Sequence, residues 1–566
     1  MGNELKVRRL GIGCLFFLVL SLFGSLHQVA HAQIDMERVR ESLRNRVEQA
    51  GISPVLSVGE ERVYAVKTLP RFYEMRAYRP AWIDQKGQLP QADALVEALQ
   101  KADLEGLEAS DYHYEFIRDA LLELRALLGQ KKPVSPGFII DLELMLTDAF
   151  SLYGSHLLSG KVNPETIDPE WFANRRSADF AVLLQETLEG NRINEALSSL
   201  LPPQPGYGKL KKALAEYRVI EKNGGWPSIP SGTILKKGDS KDERIDALRI
   251  RLAASGDLDP KSLKEGAVFD DELEQTVIGF QVRHGLEPDG AVGPLTLSQL
   301  NVPVEERIKQ MVINMERSRW LPQDLGQRHI LVNIADFHLD LFEKDRSVLN
   351  MRVIVGKAYR HTPVFSDKMT YIVLNPYWHV PRKIAVQDKL PLIKKDPEYW
   401  TKQQMKLFEG WGAETKELNP REIDWSRASA ANFSYRLRQE PGPQNALGKM
   451  KFMFPNRFGV YIHDTPTREL FRKSVRTMSS GCIRIEKPMA LAEYVLMGNP
   501  PWNGENISSA LKTNVEKTIF LKNPVPVHLL YWTTFVDGNG MIHFRNDIYH
   551  RDKRLEAALY KKPPVQ

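Results

Sequence analysis

Cysteine is nearly missing from this chain. Its 566 residues hold two, Cys14 and Cys482. That excludes a disulfide-stapled fold and leaves too few thiols for a Cys-rich metal site. None of the 13 histidines falls into H-E-x-x-H or a comparable pair, so metal catalysis is not expected and no cofactor is implied. Long runs of one charge are absent as well. The net charge is +6, without a Lys/Arg run that would argue for nucleic acid. What remains is ordinary globular material, 42% hydrophobic and 26% charged, long enough for three or four domains with sizeable cores.

The amino-terminal 32 residues stand apart. Lys6, Arg8 and Arg9 precede an apolar run from Leu10 to Leu26, and Ala30-His31-Ala32 offers an A-x-A cleavage site. This pattern is that of a secretory signal, which predicts a periplasmic protein. The apolar run is long, so an uncleaved inner-membrane anchor is the alternative. Cys14 lies near the start of that run and Gly11 stands where a lipoprotein signal wants an aliphatic residue. Cleavage would leave Cys482 as a lone thiol in an oxidising compartment, a liability unless it is used.

Cys482 sits in Ser479-Ser480-Gly481-Cys482-Ile483-Arg484, a tight small-residue turn entering a short strand. Gly481 lets the backbone approach a substrate, and N–H groups around Gly481 and Cys482, with Ser480 in the turn, could face a developing oxyanion. Upstream, Phe458–Ile462 reads as a strand that delivers His463, a base for the thiol. Taken alone, a lone cysteine is more often core than catalyst. The spacing and motif change that balance. His463, fifteen residues, then Ser-Ser-Gly-Cys-Ile-Arg resembles the signature of the L,D-transpeptidases, which cross-link bacterial peptidoglycan. Ser480 stands where most members carry a second histidine. The Ser-Ser-Gly-Cys version resembles the large, multidomain Gram-negative branch.

The rest of the chain extends the resemblance and predicts a multidomain α+β protein. Residues 33–228 read as mainly helical, with helices at Asp35–Ala50, Leu95–Leu104, Phe116–Leu128 and Pro136–Tyr153. Phe72-Tyr73, Tyr78, Pro80-Ala81-Trp82 and Gly106-Leu107 resemble the family's scaffold domain. Residues 229–303 follow a Gly/Pro linker. Their Phe280-Gln281, Gly285-Leu286, Asp289-Gly290, Gly293 and Thr296 resemble a three-helix peptidoglycan-binding module, with Thr296 expected as a helix cap. Residues 304–555 turn to strands and resemble the catalytic domain, interrupted at 384–445 by a segment similar to a capping subdomain, with Trp400, Trp411 and Trp425. Residues 556–566 are a tail.

The resemblance implies Cys482 as nucleophile and His463 as general acid/base. Trp378 and Tyr461 could wall the donor groove, and Arg484 could meet a carboxylate or simply pack the turn. It further implies stem-peptide substrates, a thioester intermediate, sensitivity to carbapenems, and glycan contact through 229–303. Without the family, the residues support only a secreted cysteine acyl-transferring or hydrolytic enzyme. A carboxypeptidase with the same dyad and a non-catalytic wall-binding scaffold are the alternatives.

Overall fold

The computed structural model describes residues 34–50, 56–172, 174–263, 266, 268–396, 398–410 and 415–563. The leader with Cys14, and Trp411, lie outside them. Among the described residues no helix is long and apolar enough to cross a membrane.

The helical part is built around Pro136–Ser159. Proline opens this helix behind Ser135, whose Oγ accepts from the Phe138 N–H (3.2 Å). Apolar residues on every face make it a core helix, not a surface one. Its buried acids tie down backbone. Glu143 accepts from the N–H groups of Ala81, Trp82 and Ile83 (2.8, 2.8 and 2.9 Å). Asp148 accepts from Tyr64 N–H (2.9 Å) and faces His113 Nε2 (2.9 Å). Trp82 Nε1 donates to Thr147 Oγ1 (2.9 Å). The aromatic motif at 72–82 therefore serves packing, satisfying buried polar groups that would otherwise be costly.

The small module has helices Arg244–Ala254, Asp271–Arg283 and Pro294–Leu300. Gln281 is its polar knot. Its Nε2 donates to Asp289 Oδ1 (2.8 Å), the Ala291 carbonyl (2.9 Å) and Thr296 Oγ1 (3.1 Å), while its Oε1 accepts from Gly290 N–H (2.9 Å). Thr296 is thus not the expected cap. Gly293 occupies the cap position and Pro294 the first helical one, placing Thr296 inside the first turn as an acceptor for Gln281.

A helix that the strand reading from 304 missed, Val304–Arg319, joins the parts. Its signals were present: Pro303 before it, Glu305 and Glu306 in the first turn, Arg317 and Arg319 in the last. It packs with Pro205–Lys222 and the hairpin Thr534–Val536/Ile542–Phe544 in one apolar cluster. Glu316 and Arg319 pair while fully buried (3.0 Å), and Glu316 also accepts from Val162 N–H (2.7 Å). The module docks here too, through Arg545 Nη1 donating to the Arg283 carbonyl (2.8 Å) and Arg251 over the Trp226 ring (3.8 Å).

The catalytic-type domain contains β1 (Arg328–Asn333), β2 (His338–Glu343), β3 (Arg346–Gly356), β4 (Phe365–Leu374), β5 (Met450–Met453), β6 (Ile462–His463), β7 (Thr477–Ser479), β8 (Ile483–Ile485) and β9 (Lys517–Leu530). Their order is β7-β3-β8-β6-β5-β4-β9-β1-β2, and β2 also pairs with β3, so the sheet closes on itself. The strand expected over Phe458–Ile462 is shorter. Asn456 Oδ1 accepts from Phe458 and Val460 N–H groups (3.0 and 3.2 Å), folding 456–460 into a turn ahead of β6.

The insertion corrects a further expectation. It is not a break from β-structure, because Met405–Glu409, Lys416–Leu418 and Arg436–Gln439 form an antiparallel sheet with Trp378–His379. The subdomain therefore recruits residues before 384. Its helical side runs from Arg382 to Lys395 through a π-turn at Ala385–Lys389, and it has its own core around Leu390, Ile393, Trp400, Leu407 and Leu437.

Candidate active site

Register decides what the reactive face displays. β6 and β8 are parallel, with Ile462 opposite Ile483 and His463 opposite Arg484. β5 runs antiparallel to β6, with Phe452 opposite Ile462 and Lys451 opposite His463. Side chains alternate along strands, so buried Phe452, Ile462 and Ile483 point into the barrel core. Lys451, His463 and Arg484 line up on the opposite face. Tyr461 and Cys482, two residues before His463 and Arg484, share that face. It floors a cavity of about 630 Å³ lined among others by Trp378, Tyr461, His463, Ser480, Gly481, Cys482 and Arg484. All seven residues singled out from the sequence thus meet in one place.

The turn before Cys482 is braced from both sides. Ser479 Oγ donates to the Cys482 carbonyl (2.5 Å) and accepts from Gly481 N–H (3.1 Å). Thr362 Oγ1 donates to the Gly481 carbonyl (2.9 Å). Gly481 has φ +113°, and a Cβ there would sit 3.3 Å from the His361 carbonyl. Because Gly481 N–H is engaged by Ser479, it is not a free oxyanion donor. Among the described residues no acceptor holds the Cys482 N–H, which leaves that group available. Ser480, at the family's histidine position, accepts from Arg360 Nη1 (2.8 Å). Arg360 also binds the Asp388 carboxylate and Gln387 Oε1 (2.8 Å) in the π-turn of the insertion. One guanidinium therefore ties the turn to the capping subdomain.

His463 is 5% exposed. Its Nδ1 faces the Asp464 carbonyl (2.6 Å) and so carries the proton, leaving Nε2 with the lone pair that a base needs. Burial, with Arg484 and Lys451 nearby, pushes its pKa down to about 3. Burial also pushes the Cys482 thiol up, opposed by the Tyr461 N–H, Lys451, the Tyr461 hydroxyl and Arg484. No hydrogen bond joins His463 to Cys482 among the described residues. Burial thus disfavours the charged form of both groups, the imidazolium and the thiolate.

Tyr461 and Trp378 both face the cavity, with Lys451 Nζ 4.0 Å from the Tyr461 ring centre and Lys389 Nζ 5.2 Å from that of Trp378. Arg484 Nη1 lies 3.5 Å from Thr467 Oγ1 and its Nε is buried without a partner. The remaining lining is cationic, with Lys357, Arg360, Lys383 and Lys389 against Glu170 and Asp388. Lys451 is the residue that sequence reading passed over. Its signal was its place between buried Met450 and Phe452 in a strand, which turns it to the reactive face. Among the described residues no His/Cys/Asp/Glu group is placed to hold a metal.

A closed β-domain presents one cysteine beside a buried histidine, preceded by a helical domain and a small helical module. Residues 327–502 match the family "L,D-transpeptidase catalytic domain", residues 67–214 the "Scaffold domain" and residues 241–300 the "Putative peptidoglycan binding domain". The chain therefore carries an L,D-transpeptidase catalytic domain behind scaffold and peptidoglycan-binding domains. A curated protein of Haemophilus influenzae named "Putative L,D-transpeptidase" is 34% identical over 250 residues, 44% of this chain and 49% of that protein. The match thus spans about half the length of that relative. Solved L,D-transpeptidases with local similarity come from Mycobacterium smegmatis (11% identity, 36% of this chain and 58% of that one, TM-score 0.17) and Stackebrandtia nassauensis (13%, 54% and 96%, TM-score 0.19).

Proposed function

We propose that this protein is a periplasmic L,D-transpeptidase that forms 3-3 cross-links between peptidoglycan stem peptides through a cysteine thioester. The observation that carries the reading is the shared face of Cys482 and His463 on the floor of a cation-lined cavity, in a domain matched to that catalytic family. A tetrapeptide donor, anionic through its carboxylates, suits such a lining.

Cys482 Sγ attacks the carbonyl of the third stem residue while His463 Nε2 takes the thiol proton. Positive charge on the imidazole is tolerated at that moment because the anion forms beside it. The Cys482 N–H faces the oxyanion, a donor worth ~2.7–4 kcal/mol in good geometry. His463 returns the proton to the departing D-Ala amine, leaving the thioester. The side-chain amine of a second stem then attacks, giving its proton to His463, and Cys482 is released. The module at 229–303 would hold the enzyme on glycan. Incubating the protein with tetrapeptide muropeptide and quenching in acid should add the mass of the donor minus D-Ala to Cys482. Loss of D-Ala without any adduct, in wild type and Cys482→Ala alike, would refute the thioester.

A further inference from the structure

Lys451 is half-buried on the reactive face, yet no carboxylate lies within ion-pair distance of it among the described residues. A cation drawn partly out of water with no carboxylate in direct contact is costly, and such residues tend to be functional. Cross-strand register sets it opposite His463. Its ammonium lies 4.0 Å from the centre of the Tyr461 ring, and Tyr461 adjoins the Cys482 thiol through both its N–H and its hydroxyl. Burial lowers the Lys451 pKa, while Cys482 and the Glu516 carboxylate work to hold the charge in place. Burial pushes the His463 pKa down to about 3, which disfavours the imidazolium as the resting cation. Of the two permanent cations that act on the thiol, Lys451 acts more strongly than Arg484.

We infer that Lys451 is a positioning residue that supplies, across the Tyr461 ring, the fixed positive charge against which the Cys482 thiolate forms. The inference rests on the reading of Cys482 as nucleophile, but not on what its substrate is. The other titratable groups that line the cavity with the thiol are Tyr461 just before β6, His463 on β6, Arg484 on β8, and Tyr359, Arg360 and His361 from the segment after β3. Asp388, Lys383 and Lys389 face it from the insertion, with Lys357 and Glu170 at the cavity wall.

The test is alkylation of the full chain by iodoacetamide, in which the thiolate displaces iodide and forms an S–C bond. The reaction is followed across pH on the Cys482 peptide by mass spectrometry, so that Cys14 does not contribute. In Lys451→Met the midpoint of the pH profile should move up by about one pH unit, the scale expected for losing one nearby charge. In Lys451→Arg it should return close to wild type, which a merely structural lysine would not require. An unmoved midpoint in folded Lys451→Met overturns the inference. Should Lys451→Met not fold, Glu516→Gln decides, because Glu516 is exposed and offsets the Lys451 charge. A lowered midpoint then supports the role and an unchanged one overturns it. Iodoacetamide carries no peptide, so failure of the cross-linking reading leaves this result readable.

Discussion

In the proposed reaction Cys482 is the nucleophile and His463 the base, and burial disfavours the charged form of each. An imidazole held at about 3 cannot titrate near 6.5, so the pH profile of Cys482 alkylation should show one inflection, that of the thiol. A second inflection near 6.5 would mean a resting ion pair. His463→Ala should lower turnover by ~10²–10⁴-fold, the usual contribution of general acid–base assistance, with circular dichroism showing a folded chain. A carbapenem offers a strained carbonyl to the same thiol. Intact-mass spectrometry should find one adduct on wild type and none on Cys482→Ser. Adducts on both proteins would move the nucleophile elsewhere. At this scale the sequence was informative about identity and silent about charge state. Which residues press on His463 depends on the pairing of three strands separated by up to thirty residues.

The capping subdomain is held to the catalytic turn by Arg360, which reaches Ser480 on one side and Asp388 and Gln387 on the other. A cap that excludes water favours an amine acceptor over hydrolysis of the thioester. Asp388→Ala should therefore raise the ratio of tripeptide to cross-linked dimer in the same reaction, with less effect on donor consumption. An unchanged ratio in the folded variant would separate the cap from acceptor choice. Elements were legible where periodicity was strong. The helices expected at Phe116–Leu128 and Pro136–Tyr153 stand where the sequence placed them, within Tyr114–Gly129 and Pro136–Ser159. The helix Val304–Arg319 was missed because its arginines and asparagine are buried against neighbouring domains, which blurs the apolar stripe a sequence reader looks for. The strands of the insertion were missed because each is short and the sheet is completed by Trp378–His379, which pairs with Arg436–Gln439 from upstream of the segment.

Across the whole molecule, several histidines are buried and held neutral: His156 in the scaffold helix, His284 in the small module, His463 in the site, and His528, pushed down to about 4. Their folded-state pKa values lie below the unfolded value of about 6.5, so below that pH the unfolded chain binds more protons. Stability is therefore lost as pH falls from 6.5 toward 4 and below. His113 and His338, raised by carboxylate partners, and Glu143, raised to about 7 by burial, act in the opposite sense. The thermal midpoint should decline steadily once pH drops below 6.5. A midpoint that holds level down to pH 4.5 would show that the buried histidines are not the acid-labile points. The module at 229–303, of which residues 241–300 match a putative peptidoglycan binding domain, contacts Phe544 and Arg545 and so braces the hairpin behind the catalytic sheet.

The most direct test of the central reading is product analysis from a single purified tetrapeptide muropeptide, incubated with wild type and Cys482→Ala. The expected result is a 3-3 cross-linked dimer with release of one D-Ala per bond from wild type, and unreacted tetrapeptide from the variant. Dimer formed by Cys482→Ala, or only tripeptide formed by wild type, would contradict a cysteine transpeptidase.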